Sequence, residues 1–193
     1  VTSVGIAKNI KNKTFPASFT VGGKSYSFIV ISPIMADASS PHWAEDVNAL
    51  IAHCKSKYRV DANRIYLVGL SLGGQAIWYY SIKYGSQMAA GVMVAPNAYS
   101  NASSLKAISD FQVPLWVTHN KGDGNYSYTA AVNLVNAINA YVPAPPKALL
   151  TVFDNSGHDA WSKTYDPAFK QNGMNIYEWM LSNARGTVQA TPA

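Results

Sequence analysis

The sequence predicts an α/β fold, a mostly parallel sheet with helices on both faces. Three observations lead there. Short apolar runs recur at residues 28–31, 65–68, 89–95, 113–119 and 147–153. Near-continuous runs of that length mark strands buried on both faces. Between them lie longer stretches with apolar residues at helical spacing, so strand and helix alternate and the strands run parallel. The 193 residues suffice for one domain with a sizeable core, and no internal repeat interrupts the pattern.

Residues 1–24 are polar, rich in Asn and Lys, and end in Gly22-Gly23 without a strong period. Residues 25–31 read as a strand with Phe28-Ile29-Val30-Ile31 as its buried centre, stopped by Ser32-Pro33. Residues 35–41 read as a loop. A helix over 42–58 follows from Trp43, Val47, Leu50, Ile51 and Cys54 at helical spacing, with Pro41 before the first turn. Glu45 and Asp46 sit where the helix dipole favours them. A turn at 60–64 leads into the strand at 65–68, and a helix from 74 to 84 ends at Gly85. The strand at 89–95 precedes a loop and a short helix over 103–110. The strand at 113–119 tolerates Pro114 because it stands near the start. Ala131, Val132, Leu134, Val135 and Ile138 place a helix over 128–141. Pro143-Ala144-Pro145-Pro146 is a rigid linker into the last strand, 147–153. A turn at 155–158, a closing helix over 174–184 and a frayed tail at 186–193 complete the chain.

Composition narrows the function classes. Only 13% of residues are charged, about half the usual share, with Tyr, Asn, Ser and Ala in their place. Such a surface fits a secreted or periplasmic protein. The net charge of +5 is spread over scattered basic residues, densest at Lys8, Lys11 and Lys13, which argues against nucleic acid as a partner. No run approaches the roughly 20 apolar residues of a membrane span, so no membrane partner is expected. The single cysteine, Cys54, excludes an internal disulfide and a cysteine-based metal site, and is expected to be a buried structural thiol.

The chemistry centres on Gly69-Leu70-Ser71-Leu72-Gly73, a G-x-S-x-G sequence between an apolar strand and a helix. That context is the one a nucleophile elbow requires. The turn holds Ser71 in a strained conformation, so its neighbours must be small. Gly69 and Gly73 leave room for the chain to double back, and Gly74 lets the helix pack close to the strand. Ser71 then projects from the top of the sheet, and the Leu72 N–H points at a developing oxyanion.

A serine nucleophile needs a base and an orienting acid, which this architecture supplies in the chain order Ser, acid, His on loops after strands. His158 follows the last strand and fits as the base. His42 and His53 precede the elbow in a helix, and His119 ends a strand four residues before the acid. Asp123, in Gly122-Asp123-Gly124, fits as the acid; an ordinary turn aspartate is the plainer reading of the same triplet. Asp154 is a substitute, Asp110 lies at the wrong end of its strand, and Asp159 adjoins His158 too closely.

The stretch Asp61-Ala62-Asn63-Arg64-Ile65-Tyr66-Leu67-Val68-Gly69-Leu70-Ser71-Leu72-Gly73-Gly74 resembles the elbow of a group within the α/β-hydrolase superfamily. That group holds feruloyl and acetylxylan esterases, polyhydroxybutyrate-depolymerase-like enzymes and predicted peptidases. Pro114-Leu115-Trp116-Val117 with His119-Asn120-Lys121-Gly122-Asp123 is similar to its acid strand, which usually reads His-Gly before the loop. Gly157-His158-Asp159-Ala160-Trp161, with Tyr165-Asp166-Pro167 and Tyr177-Glu178-Trp179-Met180, is similar to its histidine loop and last helix. The resemblance spans residues 26–182. It implies a serine hydrolase that cleaves esters through an acyl-enzyme, with no metal or organic cofactor. It also implies Trp161 as a lining residue of the acyl pocket, against the plainer reading that Trp161 packs under its loop.

The chain departs from that group at its start. The group's additional strands, and the His-Gly loop that donates a second oxyanion N–H, have no counterpart in residues 1–25. The fold expected is therefore an N-terminally shortened α/β-hydrolase: a single catalytic domain over 1–193, the C-terminal part of the full one, with a missing N-terminal segment as partner. The substrate expected is a small-molecule or polysaccharide-linked ester. A serine peptidase of the same fold and a non-catalytic hydrolase-like binding module are the rival readings.

Overall fold

The computed structural model describes residues 4–34 and 42–186. The loop expected at 35–41 and most of the tail expected at 186–193 lie outside the described residues. Helix α1 (Gly5–Lys11) is followed by strands β1 (Phe19–Val21) and β2 (Lys24–Tyr26). Helix α2 (Trp43–Lys57) leads to β3 (Tyr66–Leu70), α3 (Leu72–Tyr84) and a short 3-10 turn over Gly85–Gln87. Then come β4 (Ala90–Val94), α4 (Ala102–Phe111), β5 (Leu115–Gly122), α5 (Tyr128–Asn139), β6 (Leu149–Ser156), α6 (Trp161–Thr164) and α7 (Ile176–Ser182).

β3, β4, β5 and β6 form one parallel sheet in that order, Tyr66 opposite Ala90, Gly91 opposite Leu115 and Trp116 opposite Leu149. Side chains alternate faces along each strand. Met93, Leu115 and Val117 meet Ile77 and Trp78 of α3, Ile108 of α4 and Leu134 and Ile138 of α5. On the other face Ala90, Val92, Val94 and Trp116 meet Ile176, Tyr177 and Met180 of α7, and Phe19 of the small hairpin. This is the α/β architecture with helices on both faces that the apolar runs require.

Three expectations are corrected. Residues 25–31 are not one strand: β2 ends at Tyr26, residues 27–34 carry no regular structure, and the sheet has four strands, not five. Phe28 packs inward against Phe19 and Tyr66, but Ile29 and Ile31 are 54% and 44% exposed. Without a strand partner, the run has β composition and no ladder. Residues 1–24, read as patternless, hold α1 and a hairpin. Gly22 and Gly23 form its two-residue turn at φ of 56° and 75°, the left-handed pair such a turn demands. Cys54 is half-buried rather than buried, because the face of α2 that carries it borders an open groove beside β3.

Candidate active site

Ser71 occupies the turn between β3 and α3 at φ 54°, ψ −121°, a region that non-glycine residues enter at a cost of about 1–3 kcal/mol. The turn is tight for a definite reason. A Cβ on Gly69 would stand 2.4 Å from the Gly73 backbone, and one on Gly74 would stand 3.1 Å from Pro96 Cβ. Both positions are therefore held to glycine by close approach. A Cβ on Gly73 would meet nothing within 4 Å, so the expectation that this position must be small is corrected. It is the Gly73 backbone that crowds Gly69. Ser71 N–H donates to Val94 C=O at 2.8 Å and fixes the elbow to the end of β4.

The acid and the imidazole come from the ends of β5 and β6. The β5–β6 pairing slips between Asn120 and Gly122, a bulge that releases the chain toward Asp123. Gly157 ties the two loops together. Its N–H donates to Gly122 C=O at 2.8 Å, and its carbonyl accepts from Asn120 Nδ2 at 2.9 Å. His158 is the next residue, so β5 dictates where the imidazole stands.

His158 Nε2 is 2.9 Å from Ser71 Oγ, and His158 Nδ1 is 2.7 Å from Asp123 Oδ2. The Asp123 side chain is fully buried and that of His158 is 15% exposed. Burial is the largest influence on the Asp123 carboxyl and opposes its ionisation. The His158 hydrogen bond and the N–H groups of Asn125 and Tyr126, both donating to Oδ1, outweigh it and hold the carboxyl below its usual range. An ionised carboxylate only accepts, so Nδ1 carries the imidazole proton and Nε2 offers its lone pair to the Ser71 hydroxyl. The arrangement can transfer a proton from Ser71 Oγ to His158 while Asp123 steadies the resulting cation.

The remaining sequence candidates sort cleanly. Leu72 is the first residue of α3, where backbone N–H groups have no intrahelical acceptor, so its N–H is placed to meet an anion. Trp161 stands edge-on to the His158 ring at 5.3 Å and also packs on the core, as the plainer reading of it expects. Asp154 is exposed and 4.0 Å from Lys121, Asp110 pairs with Lys106, and Asp159 accepts from the Ser162 backbone and hydroxyl at the start of α6. None of these reaches His158 in the role of orienting acid. His119 is fully buried beside Asp123, its Nδ1 3.7 Å from Asp123 Oδ2. Sequence reasoning missed Asn120, and it missed Tyr126, whose ring stands edge to face with the His158 ring at 5.4 Å. An aromatic three residues past the acid is the one signal that pointed to Tyr126. Among the described residues no cluster of His, Cys, Asp and Glu is arranged to hold a metal ion.

No protein-family model matches the sequence, and no curated protein does. Solved structures do match in fold. Over 73% of this chain and 36% of the other, a thermostable esterase is similar with a TM-score of 0.54 at 23% identity. The acylaminoacyl peptidase of Pyrococcus horikoshii is similar over 61% of this chain and 23% of its own, with a TM-score of 0.50 at 13% identity. The chain thus spans well under half the length of either.

Proposed function

The chain has the α/β-hydrolase fold, and from that premise we propose that it is a serine hydrolase cleaving carboxylic esters through an acyl-enzyme intermediate. The observation that carries this reading is the unbroken hydrogen-bond sequence Ser71 Oγ, His158 Nε2, His158 Nδ1, Asp123 Oδ2. Ser71 Oγ attacks the ester carbonyl as His158 Nε2 takes its proton. The Leu72 N–H stabilises the tetrahedral oxyanion. The intermediate collapses, the C–O bond to the alcohol breaks, and His158 returns the proton to the leaving oxygen. Water, deprotonated by the same imidazole, then releases the acid and restores Ser71. Trp161 and Tyr126, both packed against the imidazole, line the space where the acyl group rests. No step calls for a metal or an organic cofactor.

The low charge and the Tyr- and Asn-rich composition favour an extracellular ester, including one carried on a polysaccharide. Hydrolysis of p-nitrophenyl acetate, set beside a peptide anilide, tests the reading in the chain and its Ser71→Ala variant. Ester turnover that disappears in Ser71→Ala is the expected result. Faster anilide cleavage makes the enzyme a peptidase of the same fold, and Ser71-independent ester turnover overturns the assignment.

A further inference from the structure

The hydrolytic steps leave one buried imidazole without a task. His119 stands on β5 four residues before Asp123, and its side chain is wholly out of solvent. A buried imidazole has two nitrogens to account for, and the proton sits where the neighbours can accept it. His119 Nδ1 lies 3.1 Å from Asn120 C=O and 3.7 Å from Asp123 Oδ2. The carbonyl only accepts, and so does the Asp123 carboxyl, which is held ionised. A lone pair on Nδ1 would face two acceptors, so Nδ1 carries the proton and donates to Asn120 C=O. His119 Nε2 is buried with no hydrogen-bond partner among the described residues. A second proton there would bury a charge on an unpartnered N–H, the costlier arrangement.

The carbonyl that takes this proton is where the two catalytic loops meet. Asn120 C=O also accepts from Asp123 N–H at 3.3 Å, which closes the turn that bears the acid. The Asn120 side chain donates to the carbonyl of Gly157, the residue before His158. The β5–β6 ladder slips just past Asn120, so the ladder alone does not fix that turn. The His119 N–H supplies a hold on Asn120 that the ladder does not.

The same N–H bears on the carboxylate. Asp123 Oδ1 accepts from the N–H groups of Asn125 and Tyr126, and Oδ2 accepts from His158 Nδ1. At 3.7 Å His119 Nδ1 is too far from Oδ2 for a hydrogen bond. It still turns the positive end of an N–H dipole toward that oxygen, and in a water-free interior such a dipole is felt.

We propose that His119 is a positioning residue of the triad: its Nδ1–H fixes the Asn120 carbonyl, faces Asp123 Oδ2, and so holds the acid in bonding reach of His158 Nδ1. His119 touches neither the substrate nor the reacting atoms and acts through Asn120 and Asp123. The tautomer and the hold stand on burial and geometry; their effect on rate rests on the hydrolase reading.

Nitrogen NMR of histidine-labelled chain tests the tautomer without reading activity, with His119→Asn to assign the His119 signals by their loss. A proton on Nδ1 alone is the expected result, and a proton on Nε2, with or without one on Nδ1, overturns the proposal. Two substitutions then separate the hold from packing. An Asn side chain ends near where Nδ1 stood and a Gln side chain near where Nε2 stood. His119→Asn therefore keeps a donor for Asn120 C=O, and His119→Gln does not. The far-downfield proton shared by His158 Nδ1 and Asp123 Oδ2 is expected to persist in His119→Asn and to be lost in His119→Gln. kcat for p-nitrophenyl acetate is expected to fall roughly 10- to 100-fold in His119→Gln with KM within about twofold, and most of that loss to be recovered in His119→Asn. Effects of the two substitutions that are equal, or that only follow their melting temperatures, make His119 a packing residue and overturn the proposal. Should His119→Gln not fold, the wild-type tautomer and the downfield proton of His119→Asn decide. A wild-type chain without Ser71-dependent turnover, but with the tautomer and the downfield proton as stated, overturns the hydrolase reading and leaves the positioning of Asp123 standing.

Discussion

At the scale of single residues the site is a chain of three polar groups whose roles follow from what each can donate or accept. Asp123 only accepts once ionised, which fixes the His158 tautomer. Asp123→Asn keeps the shape but offers an amide in place of an anion, so the imidazole turns to the wrong tautomer. kcat for p-nitrophenyl acetate is expected to fall by about 10⁴ with KM little changed. The same carboxyl sets an acid limb of stability. Its folded value lies below the ordinary 3.8, so its stabilising contribution is present above that pH and lost as pH falls through the folded value. The difference in melting temperature between the chain and Asp123→Asn is therefore expected to shift against the wild type as pH falls below about 4. A difference independent of pH down to 2 contradicts the depressed value. Ser71, Asp123 and His158 were legible in the sequence because each sits at a fixed place after an apolar run. Asn120 was not. Its role is a hydrogen bond to Gly157 C=O across two loops, and loop-to-loop distance leaves no periodic trace.

At the scale of elements, the elbow depends on how closely β3 and α3 approach. A methyl on Gly69 collides with the Gly73 backbone. Gly69→Ala is expected to cost about 1–3 kcal/mol in urea unfolding and to slow acylation of Ser71, because the backbone must open. A substitution neutral in both contradicts the steric account. α7 is held at its exit by Arg185, whose guanidinium donates to Met88 C=O at 2.5 Å, Phe111 C=O at 2.7 Å and Gly85 C=O. Arg185→Ala leaves those carbonyls short of a charged donor. A loss of roughly 2–3 kcal/mol is expected from the urea midpoint, without change in the KM of any ester the chain turns over. The long elements were legible: α2, α3 and α5 bury one face each and carry the helical period. The hairpin at 19–26 was not, because strands of three residues are too short to show alternation. Its one signal was Gly22-Gly23, a two-residue turn between Val21 and Lys24. The run at 28–31 misled for a physical reason: its composition favours a strand, but pairing requires a neighbour, and none stands beside it among the described residues.

At the scale of the whole molecule, β3 and β6 are the outer strands of the parallel sheet among the described residues; β3 delivers the nucleophile, and the loops after β5 and β6 that carry the acid and the imidazole are locked together. The α/β architecture was legible from the strand–helix alternation. The strand order was not, because it is set by crossovers that the sequence does not number.

The central claim is that His158 activates Ser71. Its most direct test is the rate of fluorophosphonate labelling of residues 1–193, followed by intact mass, beside Ser71→Ala and His158→Ala. The expected result is one adduct per chain, located on Ser71, absent in Ser71→Ala and slowed by about 10²-fold or more in His158→Ala. Folded chain that takes no label, an adduct that survives Ser71→Ala, or a rate unchanged by His158→Ala contradicts it.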